Sequence, residues 1–124
     1  MDKKQFAELV TEAVDNLPLE YLSKLNNIDI VIEDYPTTSQ LHKVKCKRGE
    51  TLLGLYEGIP VTVRSQYYNM ILPDKITIFQ KSIEERCVGK DEIVKEIKRI
   101  VEHEIAHHFG INDARLDQIA HEEN

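Results

Sequence analysis

Three histidines and two acidic residues lie within the eleven-residue segment His103-Glu104-Ile105-Ala106-His107-His108-Phe109-Gly110-Ile111-Asn112-Asp113. In a helix, His103 and His107 differ by about 40° around the axis and about 6 Å along it, so both imidazoles lie on one side. Gly110 can take the left-handed conformation that ends a helix, and Asp113 can then return toward the same point. Two imidazoles and one carboxylate leave a position open to water, which is typical of a catalytic zinc. The spacing therefore predicts Zn²⁺ bound by His103, His107 and Asp113.

Glu104 differs from these residues in its direction on the helix. It lies about 100° from His103, between Ile93 and Ile97, and so inside the apolar arc of the predicted helix. A carboxylate there loses hydration, which raises its pKa and makes it a better proton acceptor from a metal-bound water. Glu104 is therefore the predicted general base and not a ligand. His108 points into the same arc, where we expect a hydrogen-bonded core histidine rather than a fourth ligand.

The longest amphipathic pattern in the chain must position these side chains. It runs from Glu92 to Phe109, with Asp91 predicted as the N-cap and Gly110 as the left-handed residue that ends the helix. One face of this helix is apolar and the opposite face is charged, so the helix is predicted to pack on a sheet. The apolar face comprises Ile93, Val94, Ile97, Ile100, Val101, Ile105 and Phe109.

The rest of the chain shows shorter patterns of both helical and strand periodicity. Helices are predicted from Phe6 to about Asn16, from Pro18 to Leu25, from Ser82 to Cys87 and from Asp113 to His121; residues 37–50 fit a short helix or an irregular arm. Strands are predicted at Ile28–Ile32, at Lys75–Gln80 and, as a hairpin, at Thr51–Glu57 and Val61–Arg64. Helices at both ends of antiparallel-looking strands predict a small α+β domain that spans residues 1–124.

Composition narrows the class of partner and the compartment. The 124 residues hold 16 Lys and Arg against 22 Asp and Glu, a formal charge of −6. This field repels phosphates, so nucleic acid is a poor partner, and the short basic run from Lys43 to Arg48 does not change that expectation. No apolar stretch is long enough for a membrane span or a secretory signal, and the two cysteines are predicted to be free thiols. We expect a cytoplasmic protein that does not bind membranes.

The segment from His103 to Asp113 resembles the extended zincin signature H-E-x-x-H-x-x-G-x-x-D. More narrowly, the chain is similar to the small bacterial zincin-like metallopeptidases, sometimes called minimal metalloproteases, through residues 51–60 and 72–79 as well as this motif. The resemblance implies a compact α+β fold in which the metal helix lies against a small mixed sheet. It also implies His103, His107 and Asp113 as zinc ligands, Glu104 as base, and a peptide or protein as substrate.

Two other functions stay open at this point. A chain this small lacks the lower lobe with which a larger zincin closes its cleft, so it could be a non-catalytic binding module of the same fold. Two histidines and one aspartate could also hold iron(II) as a facial triad, although an oxygenase has no need of a buried glutamate base.

Two further features bear on catalysis. Tyr67 or Tyr68 could donate a hydrogen bond to an oxyanion, although a packed or exposed ring explains such a pair as well. If the strand from Lys75 to Gln80 lies at the sheet edge, an extended peptide could pair with it.

Overall fold

The structure is a computed structural model that describes residues 1–44, 52–58 and 73–110. The helices are α1 (Lys3–Asp15), α2 (Leu19–Leu22), α3 (Thr38–Lys43), α4 (Gln80–Arg86) and α5 (Gly89–Phe109), with a 3₁₀ turn at Ser23–Leu25. The strands are β1 (Ile28–Glu33), β2 (Gly54–Glu57) and β3 (Asp74–Phe79). Helices and strands are thus mixed along the chain, and the α+β class predicted from the sequence is confirmed.

The three described strands form one mixed sheet in the order β1-β3-β2. β1 runs parallel to β3, with Ile30 opposite Ile76, whereas β2 runs antiparallel to β3, with Tyr56 also opposite Ile76. The expectation of antiparallel strands is therefore wrong for β1 and β3, because alternation of side chains reports a strand but not its direction. The edge-strand hypothesis for Lys75–Gln80 is also wrong, since β3 is paired on both sides.

Helix α5 begins earlier than its sequence pattern predicts. Its N-cap residue is Val88, which gives no side-chain hydrogen bond, and Gly89 begins the helix at a positive φ of 83°. Asp91 is therefore not the N-cap. It lies in the first turn, where its negative charge interacts favourably with the positive end of the helix dipole. The carboxyl end follows the prediction, because Gly110 takes the left-handed conformation and donates its N–H to the carbonyl of Ala106.

The core lies between α1, α5 and the sheet. Fully buried side chains come from all three, and they include Phe6, Ala13, Ile76, Ile97, Val101 and Ile105. Burial along the apolar arc of α5 ends at Ala106. Phe109, which belongs to the same predicted arc, is 42% exposed and carries Lys24 Nζ 5.2 Å from its ring centroid. The last turn of α5 thus extends beyond the core.

Several predictions concern other parts of the chain. The second hairpin strand at Val61–Arg64, Tyr67 and Tyr68, Asp113 and the final helix lie outside the described residues. So do Cys46 and the basic run beyond Val44, whereas Cys87 is a free thiol. Within residues 1–44, 52–58 and 73–110, no helix is both long enough and apolar enough to cross a membrane.

Candidate functional site

His103 and His107 stand side by side in the last two turns of α5. Their ring centroids are 4.1 Å apart and the ring planes are inclined by 52°. Both residues are exposed. Two nitrogens on one tetrahedral zinc ion lie about 3.3 Å apart, a distance comparable to the separation of these two rings. The four-residue spacing has therefore produced the paired imidazoles that the sequence predicts.

The third predicted ligand cannot be located in the same way. In the described parts of the chain, no three His, Cys, Asp or Glu side chains are close enough together to hold a metal ion. Asp113 lies three residues beyond Gly110, the last described residue, whose φ of 71° turns the chain out of the helix. Two exposed imidazoles suit zinc by their donor chemistry. The full ligand set of His103, His107 and Asp113 stays a prediction.

Glu104 is half-buried between the helix and strand β2. Burial raises the pKa of its carboxyl group, while a hydrogen bond from the backbone N–H of Tyr56 and the charge of His107 lower it. Burial dominates, and the pKa lies above its ordinary value. The rise expected from the helical position of Glu104 is thus confirmed, and its physical cause is desolvation.

His108 does not occupy the core position that the sequence predicts. Its side chain is 40% exposed, and its ring stacks on Tyr56 with centroids 3.9 Å apart and planes within 16°. The Tyr56 hydroxyl donates to Asp74 Oδ2 at 2.6 Å, and His108 Nε2 lies 4.0 Å from the same oxygen. The prediction fails because the last turn of α5 extends past the core. His108 instead packs that turn against Tyr56 of β2 and lies near Asp74 of β3.

Tyr56 is the residue of this site that the sequence does not indicate. Its backbone N–H binds the carboxylate of Glu104, and its ring supports His108, the residue next to His107. Both contacts join β2 to a helix that follows more than thirty positions later in the chain. No local spacing carries such information; the only signal is an aromatic residue on a strand with half-buried positions.

A cavity of about 240 Å³ opens beside His103 and Glu104. Its wall combines apolar residues from the start of β2 and from α5 with two arginines; the lining residues are Leu52, Leu53, Gly54, Arg86, Arg99, Ile100, His103 and Glu104. The cavity is large enough for one or two side chains of a peptide. The imidazole of His103 and the carboxylate of Glu104 therefore border a space into which a substrate can extend.

Sequence comparison adds the family to this geometry. The sequence model of the zincin-like metallopeptidases matches residues 25–122, about four fifths of the chain. The chain belongs to the zincin-like metallopeptidase family. The match includes the segment from His103 to Asp113, and it confirms the resemblance noted in the sequence.

Structural comparison supports the fold of this zincin-like protein. It is similar to a conserved hypothetical protein from Thermo thermophilus, with a TM-score of 0.56 and 19% sequence identity. The alignment covers 88% of this chain and 94% of the other, so the likeness extends over nearly the whole of both. At this identity it shows the fold alone. A comparison with curated proteins gives no match.

Proposed function

We propose that this zincin-like protein is a zinc-dependent metallopeptidase that hydrolyses peptide bonds in a peptide or protein substrate. The observation that carries the proposal is the arrangement at the end of α5. There, paired imidazoles lie beside a half-buried glutamate of raised pKa, and His103 and this glutamate border a cavity. His103, His107 and Asp113 would hold the zinc ion. Membership of the family supports the same chemistry.

The proposed reaction divides its work between the ion and Glu104. A zinc ion held by His103, His107 and Asp113 would polarise a carbonyl group and would lower the pKa of a water molecule toward about 7. Glu104 accepts a proton from the water molecule, and the oxygen of that water attacks the carbonyl carbon of the peptide. Glu104 then gives that proton to the amide nitrogen as the carbon–nitrogen bond breaks, so the products are a carboxylic acid and an amine.

The environment of Glu104 suits both proton transfers. A raised pKa makes the carboxylate a stronger base than an exposed glutamate, and it makes the protonated form a usable acid later in the cycle. The N–H of Tyr56 holds the carboxylate in place without removing that rise. Tyr56 is therefore a positioning residue for the proposed base.

The first test measures metal content and proteolysis together. The protein is purified without chelator, its metals are quantified by mass spectrometry, and its cleavage of an unstructured protein is compared with that of Glu104→Gln. We expect about one zinc ion per chain, and a loss of at least about a hundredfold in kcat for Glu104→Gln, because general base catalysis contributes that much or more. His103→Ala and Asp113→Ala should lose the metal as well as the activity.

Glu92→Gln is the matched control for Glu104→Gln. Glu92 is an exposed glutamate in the first turn of the same helix, so its variant removes the same charge far from the imidazoles. Cleavage that persists unchanged in Glu104→Gln would contradict the proposal. A protein that stays metal-free in micromolar zinc would favour the non-catalytic binding module, and one purified with iron would favour the facial triad.

A further inference from the structure

Two arginines meet at the cavity beside the proposed catalytic groups. Arg99 lies one helical turn before His103, so both side chains leave α5 on the same side and about 6 Å apart along its axis. Arg86 is the last residue of α4, and it lines the same cavity as Arg99, His103 and Glu104. A chain with a formal charge of −6 thus gathers two guanidinium groups at one small cavity.

The N–H donors of these arginines are only partly used by the described residues. Glu96 accepts hydrogen bonds from Nε and Nη2 of Arg99, which uses two of the five N–H donors of that guanidinium. The Arg86 side chain makes no hydrogen bond or ion pair with any residue in the described ranges, although its charge acts on the same Glu96 carboxylate. Glu96 is thus the described carboxylate that is hydrogen-bonded to Arg99, and Glu104 also lines the cavity. Among the described residues, three side-chain N–H donors of Arg99 and those of Arg86 have no hydrogen-bond acceptor, so they can bind a ligand.

The rest of the wall suits a short aliphatic stem that ends in a charge. Leu52, Leu53 and Ile100 provide the apolar part of the cavity lining. Guanidinium groups bind carboxylates through paired hydrogen bonds. These bonds are stronger than hydrogen bonds between neutral groups. A carboxylate on a stem of one or two methylene groups can therefore contact both parts of the wall.

We propose that Arg86 and Arg99 form a subsite for a substrate carboxylate, so that the peptidase prefers peptides with an acidic group close to the cleaved bond. The proposal rests on the proposed function, since the subsite borders His103 and Glu104. The carboxylate comes either from an aspartate or glutamate side chain or from the carboxyl terminus of the peptide. The shared chemistry is a carboxylate, and the experiment separates its two sources.

The test uses three peptides of equal length. The first has blocked ends and one glutamate, the second replaces that glutamate by glutamine, and the third carries the glutamine with a free carboxyl terminus. Binding to the Glu104→Gln protein is measured by calorimetry, and kcat/KM is measured with the active protein. We expect at least about fivefold tighter binding and faster cleavage for the first or third peptide than for the second. That is the scale of a partly exposed ion pair, and it weakens with added salt.

The variants assign the preference to the two arginines. Arg86→Gln and Arg99→Gln should each reduce it about twofold to threefold, and the double variant should abolish it. Arg86→Lys should retain part of the preference, because it keeps the charge and loses the paired hydrogen bonds. Lys90→Gln is the matched control: it removes the same charge from the exposed first turn of α5 and should leave the preference unchanged.

Either of two results would overturn the subsite. Equal binding of all three peptides by the unsubstituted subsite would do so, and so would a preference that survives in the Arg86→Gln, Arg99→Gln double variant. Circular dichroism shows whether each variant folds. If the double variant does not fold, the partial loss of preference expected for Arg86→Lys still tests the subsite. Calorimetry measures the subsite without turnover. Loss of the proposed peptidase activity would therefore show in the cleavage assay alone.

Discussion

The two sides of α5 follow the same helical period and have opposite surroundings. On one side, Ile97, Val101 and Ile105 are completely buried against the sheet and α1. On the other side, Arg99, His103 and His107 are exposed. The buried side fixes where the helix lies, and the exposed side is thereby free to carry groups that bind and react. Glu104 lies between the two sides, half-buried.

The largest expected effect separates stability from metal binding. Ile105→Ala removes a completely buried side chain and should lower the free energy of unfolding of the metal-free protein by about 3 kcal/mol. His103→Ala removes an exposed side chain and should change it by about 0.5 kcal/mol or less, while abolishing zinc binding. Urea denaturation with chelator present, together with zinc titration, measures both quantities.

His107→Ala provides a second exposed position for the same comparison. It should match His103→Ala in both measurements. A destabilisation by either histidine variant close to that of Ile105→Ala would contradict the division of α5 into a structural and a functional side.

A smaller effect is expected where the two sides meet strand β2. A Cβ atom added at Gly54 would lie 2.3 Å from Ile100 Cγ2, far inside van der Waals contact. Gly54→Ala should therefore lower the free energy of unfolding by about 1–3 kcal/mol, because β2 or the Ile100 side chain must move. It should also lower activity, since β2 carries the N–H that holds Glu104.

A double-mutant cycle with Ile100→Ala identifies the cause. Ile100→Ala removes the clashing methyl group, so the double variant should lose less stability than the sum of the two single variants. Strict additivity would show that Gly54→Ala acts through something other than contact with Ile100. The Gly58→Ala variant is the matched control, because a Cβ there lies 3.6 Å from its nearest neighbour, at ordinary contact distance.

The smallest effect concerns the ion pair on the exposed side. Hydrogen bonding to Arg99 lowers the pKa of Glu96 below its ordinary value, despite partial burial. A carboxyl group whose pKa is lower in the folded state stabilises the fold above the unfolded-state pKa, and this stabilisation is lost as pH falls toward the folded-state value. Because the Arg99 side chain is 58% exposed, solvent screening limits the contribution to about 0.5 kcal/mol.

Glu96→Gln tests that contribution directly. The difference in unfolding free energy between Glu96→Gln and the original chain should be present at pH 7, should begin to decrease as the pH falls below about 4.3, the ordinary glutamate pKa, and should be lost below the lowered folded-state pKa. Added salt should reduce the difference at pH 7. A difference that is independent of pH and salt would assign the effect to packing rather than to charge.

Local patterns predicted those features that depend on neighbouring residues in the chain. The period of α1 and α5, the strand from Ile28 to Glu33, the left-handed Gly110 and the rise in the pKa of Glu104 all follow from nearby spacing. Each of these features depends on residues that are near one another in the chain, so the local sequence pattern is sufficient to predict it.

Features that depend on distant contacts were not predictable in this way. The parallel pairing of β1 with β3 depends on how the segment between them crosses the sheet. The exposed position of His108 depends on where the core ends, and the support of Glu104 depends on the approach of Tyr56 from another strand. Two arginines from different helices converge on one cavity for the same reason.

The hydrogen bond from the Tyr56 amide to Glu104 makes the pKa of the Glu104 carboxyl group depend on the register of strand β2. In an antiparallel pair, a shift of one residue turns every side chain to the opposite face and exchanges inward for outward amides. Such a shift of β2 past Ile76 would leave the glutamate without its donor and take the tyrosine ring from beneath the imidazole of His108. The pKa of the proposed base Glu104 thus depends on the register of β2 in the sheet.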